Sequence, residues 1–132
     1  GILTKPEDAK RFVDATGIDM FAPSVGSIHG IVKVGKPHIH PDVIIAIKEA
    51  VGIPLVLHGG SGLSDDDFVK AVEAGISVIH INSEIRLAFR DAIQKSVEAN
   101  RDEINPSKLL QPAVDAMEEV IEARLKLFNG IK

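Results

Sequence analysis

At 132 residues, with 45% hydrophobic and 26% charged side chains, the chain has the composition of one soluble globular domain. A formal net charge of −4 argues against a nucleic-acid or anionic-membrane surface, and five Phe without Tyr or Trp offer no base-stacking platform. The absence of Cys excludes disulfides and thiolate metal sites and fits a reducing, cytoplasmic setting; no apolar run approaches the ~20 residues that span a bilayer, and no signal peptide is visible. The sequence starts at Gly1 rather than Met, as expected of a processed or truncated piece.

In chain order, Thr4-Lys5-Pro6-Glu7 has the pattern of a capping box. Ala9, Phe12 and Val13 follow at helical spacing, and Gly17 suits the stop. "DMFAPSV" (19–25) reads as a short strand, although Pro23 interrupts its ladder. A polar loop through Lys36 and Pro37 leads to a helix over about 41–51, with Gly52 past its end. "IPLVL" (53–57) is a continuous apolar run, as expected for a strand buried on both faces. Ser64 and the three aspartates after it start another helix, which Gly75 closes. "SVIHI" (77–81) is a third strand, followed by a helix over about 84–98. A last amphipathic helix, about 106–128, carries Leu110, Val114, Met117, Ile121 and Leu125 on one stripe.

Strands alternating with helices imply right-handed crossovers and a parallel sheet. Their recurrence every 25–35 residues or so matches the roughly 30 residues per unit of an eight-unit barrel. Three strands cannot close a barrel, and both edges of such a sheet need cover. The expected fold is therefore α/β, part of a barrel, with a small open α/β sandwich as the competing architecture.

In parallel α/β folds, function gathers where strands end. "GSIHG" (26–30) follows the first strand and brings Ser27, His29 and Gly30; the second delivers "HGGSG" (58–62); the third leads into His80, Asn82, Ser83 and Glu84. His29 and His58 on neighbouring strand ends can converge on a divalent metal, but two imidazoles are fewer than zinc's usual three protein ligands. Spacing alone leaves a shared metal and ordinary structural histidines both open. Gly59, Gly60 and Gly62 lack β-carbons, so their N–H groups can approach an anion closely, and the Ser61 hydroxyl adds a donor. Asn82 and Ser83 are placed to complete the same cradle. A phosphate loop and a plain tight turn fit this composition equally. His38 and His40 in "PHIHPD" have H-x-H spacing but read better as exposed loop residues, and "SDDDF" reads as a solvated helix start rather than a cation site.

Taken together, "GSIHG", "LVLHGGSG" and "NSEIR" (82–86) closely resemble the class II, metal-dependent ketose-bisphosphate aldolases, which include fructose- and tagatose-1,6-bisphosphate aldolases. The resemblance extends to the opening "TKPEDAKRFVDATGIDMFA" and the closing "INPSKLLQPAVDAMEEVIEARLKLF". It implies that residues 1–132 form a single C-terminal part of a TIM (β/α)8 barrel: the last three βα units plus C-terminal helices. His29 and His58 match family zinc ligands. Gly30, Gly59 and Ser61 match positions that hold the phosphate of dihydroxyacetone phosphate, beside which a monovalent cation often binds loop carbonyls. Asn82 and Ser83 match further phosphate contacts. The implied chemistry is reversible aldol cleavage of a ketose bisphosphate, with Zn2+ as Lewis acid and the phosphate supplying remote binding energy.

Two departures qualify this. His80 stands where the family has an Asn that hydrogen-bonds the substrate near the metal, so an imidazole there either donates a similar bond or binds metal itself. The family's third zinc-binding His and its catalytic Asp lie upstream, and no residue of this chain matches either. The isolated chain is thus expected to be inactive or nearly so, a homo-oligomer that covers its open sheet edges, with no nucleic-acid or membrane partner. The alternative is a non-catalytic phosphate-binding or assembly module of half-barrel type. A metal-independent phosphate-sugar barrel fits less well, because both histidines sit at the matching strand ends.

Overall fold

The computed structural model describes residues 2–30 and 36–131, so the part of the polar loop over 31–35 lies outside the described residues. The elements run α1 (Pro6–Thr16), α2 (Pro41–Val51), β1 (Leu55–Leu57), α3 (Asp65–Glu73), β2 (Ile76–Ile79), α4 (Ser83–Ala99) and α5 (Pro106–Phe128). They form two compact units, Gly1–Ile81 and Asn82–Lys132.

The first unit is built on β1. Leu55, Val56 and Leu57 are all buried, as a strand covered on both faces requires. β1 pairs in parallel with β2, with Leu55 opposite Ile76, Val56 opposite Val78 and Leu57 opposite Ile79; an irregularity falls between Leu55 and Val56. Ile44 and Ile47 of α2 and Phe68 and Ala71 of α3 complete an apolar core together with Val25 and Ile39.

The strand expected over 19–25 is reduced to one parallel bridge, Phe21 to Leu55. Phe21 donates to the Pro54 carbonyl and accepts from Val56 N–H, one step of ladder. Pro23 has no N–H to carry it further. The chain turns away instead: Ser24 N–H donates to Thr4 Oγ1, Thr4 N–H to the Ser24 carbonyl, and His40 N–H to the Val25 carbonyl. The same contacts overturn the capping box expected at Thr4. Lys5 is the N-cap of α1 without a side-chain bond, since the Thr4 hydroxyl is committed to Ser24. The stops at Gly17 and Gly52 form as expected, both left-handed; after α3 the cap is Ala74, and Gly75 follows at φ +114 with its N–H on the Val72 carbonyl.

The aspartate run does form a capped helix start. The Ser64 hydroxyl accepts from Asp67 N–H, and the Asp67 carboxylate accepts from the Ser64 N–H (3.3 Å) and Oγ (2.6 Å). Asp67 also reaches the loop before α2, accepting from Ile39 N–H (3.4 Å) and lying 3.0 Å from His38 Nδ1. Burial pushes its carboxyl up, but the Ser64 hydroxyl, the Ile39 and Ser64 amides and the His38 ring outweigh burial and hold it below the ordinary carboxylate range. A depressed folded-state pKa means that the stabilisation is present above the unfolded-state value of about 3.9 and is lost as the pH falls through the folded value. Asp67→Asn is expected to cost about 1–3 kcal/mol at neutral pH and to flatten the acid limb of a stability-against-pH curve from denaturant melts. An acid limb as steep as that of the parent chain would count against this anchor.

The second unit is a helical pair, α4 and α5. Arg124 grips Glu84 with two bonds, Nε to Oε1 at 2.9 Å and Nη2 to Oε2 at 2.8 Å, at a half-buried position. The packed face of α5 differs from the expected stripe. Ala113 is fully buried and Met117, Val120 and Arg124 are half-buried, whereas Leu110, Val114, Ile121 and Leu125 are exposed. The face is rotated by about one residue because it carries the small Ala113 and the Arg124 that pairs with α4. No helix among the described residues is long and apolar enough to cross a membrane.

Candidate active site

His58 is the first residue after β1 and His80 the first after β2. Leu57 lies opposite Ile79, and His80 N–H donates to the Leu57 carbonyl at 2.9 Å, so the parallel register continues one residue beyond the strands. Residues level on neighbouring parallel strands point to the same face. The two imidazoles accordingly meet, with His80 Nδ1 3.2 Å from His58 Nε2, ring centroids 4.5 Å apart and planes at 85°.

His29 arrives from the loop after Phe21. Ser27 Oγ donates to the His58 carbonyl at 2.6 Å and ties that loop to the end of β1. The His29 and His58 rings then lie 5.8 Å apart. Both line a cleft of about 460 Å³ whose wall includes Pro23, Ser24 and Ser27. The structure thus brings together His29, His58 and, through His58, His80. The tether role of Ser27 was not readable from "GSIHG", because a hydroxyl–carbonyl bond across 31 positions leaves no local pattern.

The glycine loop packs against the segment that carries His29. Gly59 has φ +69, and a β-carbon there would lie 2.9 Å from the Ile28 carbonyl carbon and 3.1 Å from the His29 nitrogen. The absence of a side chain is what lets the two loops touch. Gly30 is also left-handed, at φ +85, and among the described residues nothing lies within 4 Å of where a β-carbon would stand. Ser61 is buried at 6% exposure. Asn82 and Ser83 belong to the second unit, as the N-cap and first residue of α4; the Asn82 side chain makes no capping bond. His38 and His40, 5.9 Å apart, lie together in the loop before α2, and His38 serves Asp67.

Two imidazoles sharing a tetrahedral zinc, with Zn–N bonds of about 2.0–2.1 Å, place their ring centres roughly 5 Å apart. The His29–His58 separation of 5.8 Å is close to that, and neutral imidazole is a suitable donor. Among the described residues no group of three or more His, Cys, Asp or Glu side chains is placed to hold an ion. The residues therefore fit a metal as part of its ligand set.

Comparison with known proteins sets these features in a family. The family model for class-II fructose-bisphosphate aldolase matches residues 1–131. A probable fructose-bisphosphate aldolase of Bacillus subtilis is 35% identical over 129 residues, covering 98% of this chain and 45% of that protein. A fructose-bisphosphate aldolase of Staphylococcus epidermidis is 35% identical over 128 residues, 97% of this chain and 44% of its own length. Among solved structures, the YdjI aldolase of Escherichia coli K12 superposes with a TM-score of 0.80 at 34% identity, covering 96% of this chain and 46% of that one. A putative fructose-1,6-bisphosphate aldolase of Coccidioides immitis gives a TM-score of 0.80 at 28% identity. The chain spans about half the length of the relatives it matches. With the family model covering all but its last residue, the chain belongs to the class-II fructose-bisphosphate aldolases.

Proposed function

We propose that residues 1–132 are the C-terminal part of a metal-dependent ketose-bisphosphate aldolase, a carbon–carbon lyase. The single observation that carries this reading is the pairing of His29 and His58 on one cleft, with Gly59 packed against the Ile28–His29 backbone. In this reading the parallel neighbours Phe21, β1 and β2, each followed in the chain by a helix, are three consecutive units of a (β/α)8 barrel. His29 and His58 would hold a zinc ion, which supplies Lewis-acid polarisation of substrate oxygens when bound. The backbone N–H groups of Gly30 and Gly59 and the Ser61 hydroxyl hold the phosphate of dihydroxyacetone phosphate, and loop carbonyls offer a seat for a monovalent cation. Asn82 and Ser83, at the start of α4, are candidate phosphate contacts on the same family resemblance. The bound phosphate anchors the three-carbon unit and orients its reacting end.

Fructose-1,6-bisphosphate is the favoured substrate because the relatives carry that name; the tagatose epimer rests on the family resemblance alone. A cytoplasmic setting and a homo-oligomer that covers the sheet edges accompany this reading. One observation favours a second reading, a non-catalytic phosphate-binding or assembly module: no three potential ligands are gathered among the described residues.

The favoured reading places the remaining zinc ligand and the proton-transfer acid outside this chain. A mass-verified 132-residue sample supplied with zinc is expected to cleave fructose-1,6-bisphosphate no faster than background in a coupled assay. Steady turnover would contradict the placement of those groups.

A further inference from the structure

His80 has no role in the site as derived so far, yet its ring is held against His58. The register that sets Leu57 opposite Ile79 brings His58 and His80 level at the strand ends, where their rings meet. The Nδ1 to Nε2 distance of 3.2 Å is that of a hydrogen bond, and a neutral imidazole carries one N–H and one lone pair.

Only two arrangements of protons satisfy this bond between neutral rings. If His80 Nδ1–H donates, His58 Nε2 spends its lone pair on His80 and its Nδ1 carries the proton. His58 then has no nitrogen left for a metal. If His58 Nε2–H donates, His80 Nδ1 accepts, and the lone pair of His58 Nδ1 is free. Resting on the reading of His58 as a metal ligand, we propose that His80 is the positioning residue of that ligand: its Nδ1 accepts the His58 Nε2–H and so fixes Nδ1 of His58 as the nitrogen offered to the metal.

An acceptor behind a ligating imidazole fixes the ring's tautomer and orientation and raises its basicity. Here the acceptor is another imidazole, delivered by the next strand. Ser27 holds the same residue from its backbone side, through the His58 carbonyl. His58 is thus constrained at both ends, its main chain by one loop and its ring by the neighbouring strand.

The proton arrangement is visible without metal or activity. Long-range proton–nitrogen NMR on the isotope-labelled 132-residue chain, at about pH 8, reads each ring nitrogen directly. The expected spectrum has His58 protonated at Nε2 and His80 unprotonated at Nδ1. His80→Ala should leave His58 as a mixture of tautomers, while His80→Asn, whose side-chain oxygen also accepts, should retain much of the single form. Because His80 is exposed, both variants are expected to fold, which their amide spectra verify. Added zinc should shift His58 Nδ1 in the parent, with affinity about 10- to 100-fold weaker in His80→Ala.

A proton on His58 Nδ1, or a His58 tautomer unchanged in His80→Ala, would overturn the proposal. Zinc shifting both His58 Nε2 and His80 Nδ1 would also overturn it, by making His80 a ligand. If the stated tautomer is found but zinc moves neither His29 nor His58, the metal reading fails while the proton arrangement is supported.

Discussion

Gly59→Val is expected to destabilise the first unit by about 3–5 kcal/mol and to disable the site at the same time. Two terms add. A left-handed conformation costs an ordinary residue roughly 1–2 kcal/mol and a β-branched one more, and Gly59 sits at φ +69. The new β-carbon would also stand 2.9 Å from the Ile28 carbonyl carbon and 3.0 Å from its oxygen, which are backbone atoms with no rotamer to escape into. Overpacking of that kind costs about 1–3 kcal/mol. Relief comes only by moving the Ile28–His29 segment, so the His29 ring leaves its place beside His58. Gly30→Ala is the control: φ is +85, but among the described residues nothing lies within 4 Å of the added carbon. It should cost only about 1 kcal/mol, the conformational part alone. Urea melts of the two variants separate these effects. A Gly59→Val melt within about 0.5 kcal/mol of the parent would show that the two loops do not touch as described.

The contact at Gly59 shows where sequence reasoning stops. "HGGSG" announces a turn, and the glycines admit both a phosphate loop and a plain bend. The closeness of Gly59 to Ile28 is a long-range fact, and no local pattern carries it. The same holds for His58 and His80. Each is legible as a strand-end histidine, but their meeting depends on the register of β1 against β2, set by pairing and by the irregularity at Leu55 and Val56. Helix limits were legible where a local rule decides them, as at Ser64 with Asp67, or Pro41 with Gly52. They failed at Thr4, where a distant partner, Ser24, takes the hydroxyl. α5 was legible as one helix from Pro106 to Phe128 despite Pro112 inside it. Its packed face was not, since large apolar residues at helical spacing lose there to Ala113 and to an ion pair with α4.

The second large effect concerns the linkage between zinc and phosphate. If His29 and His58 hold a metal beside the Gly59 and Ser61 loop, a ligand that spans both must bind more tightly when both are in place. Removing an outer-shell partner of a metal ligand already costs about 10- to 100-fold in affinity, so losing the ligand itself costs at least that. His58→Ala should therefore remove zinc binding while leaving the backbone of the loop intact, because the change truncates an exposed ring and keeps Gly59 and Ser61. The variant would retain a bare anion nest.

The measurement that tests this account most directly is calorimetric titration of the 132-residue chain with dihydroxyacetone phosphate, with and without saturating zinc. The account predicts binding at least about tenfold tighter with zinc, on the order of 1.4 kcal/mol, and no zinc dependence in His58→Ala. Equal affinity in the parent chain with and without zinc would contradict it, and would leave the loop as an anion site unconnected to a metal.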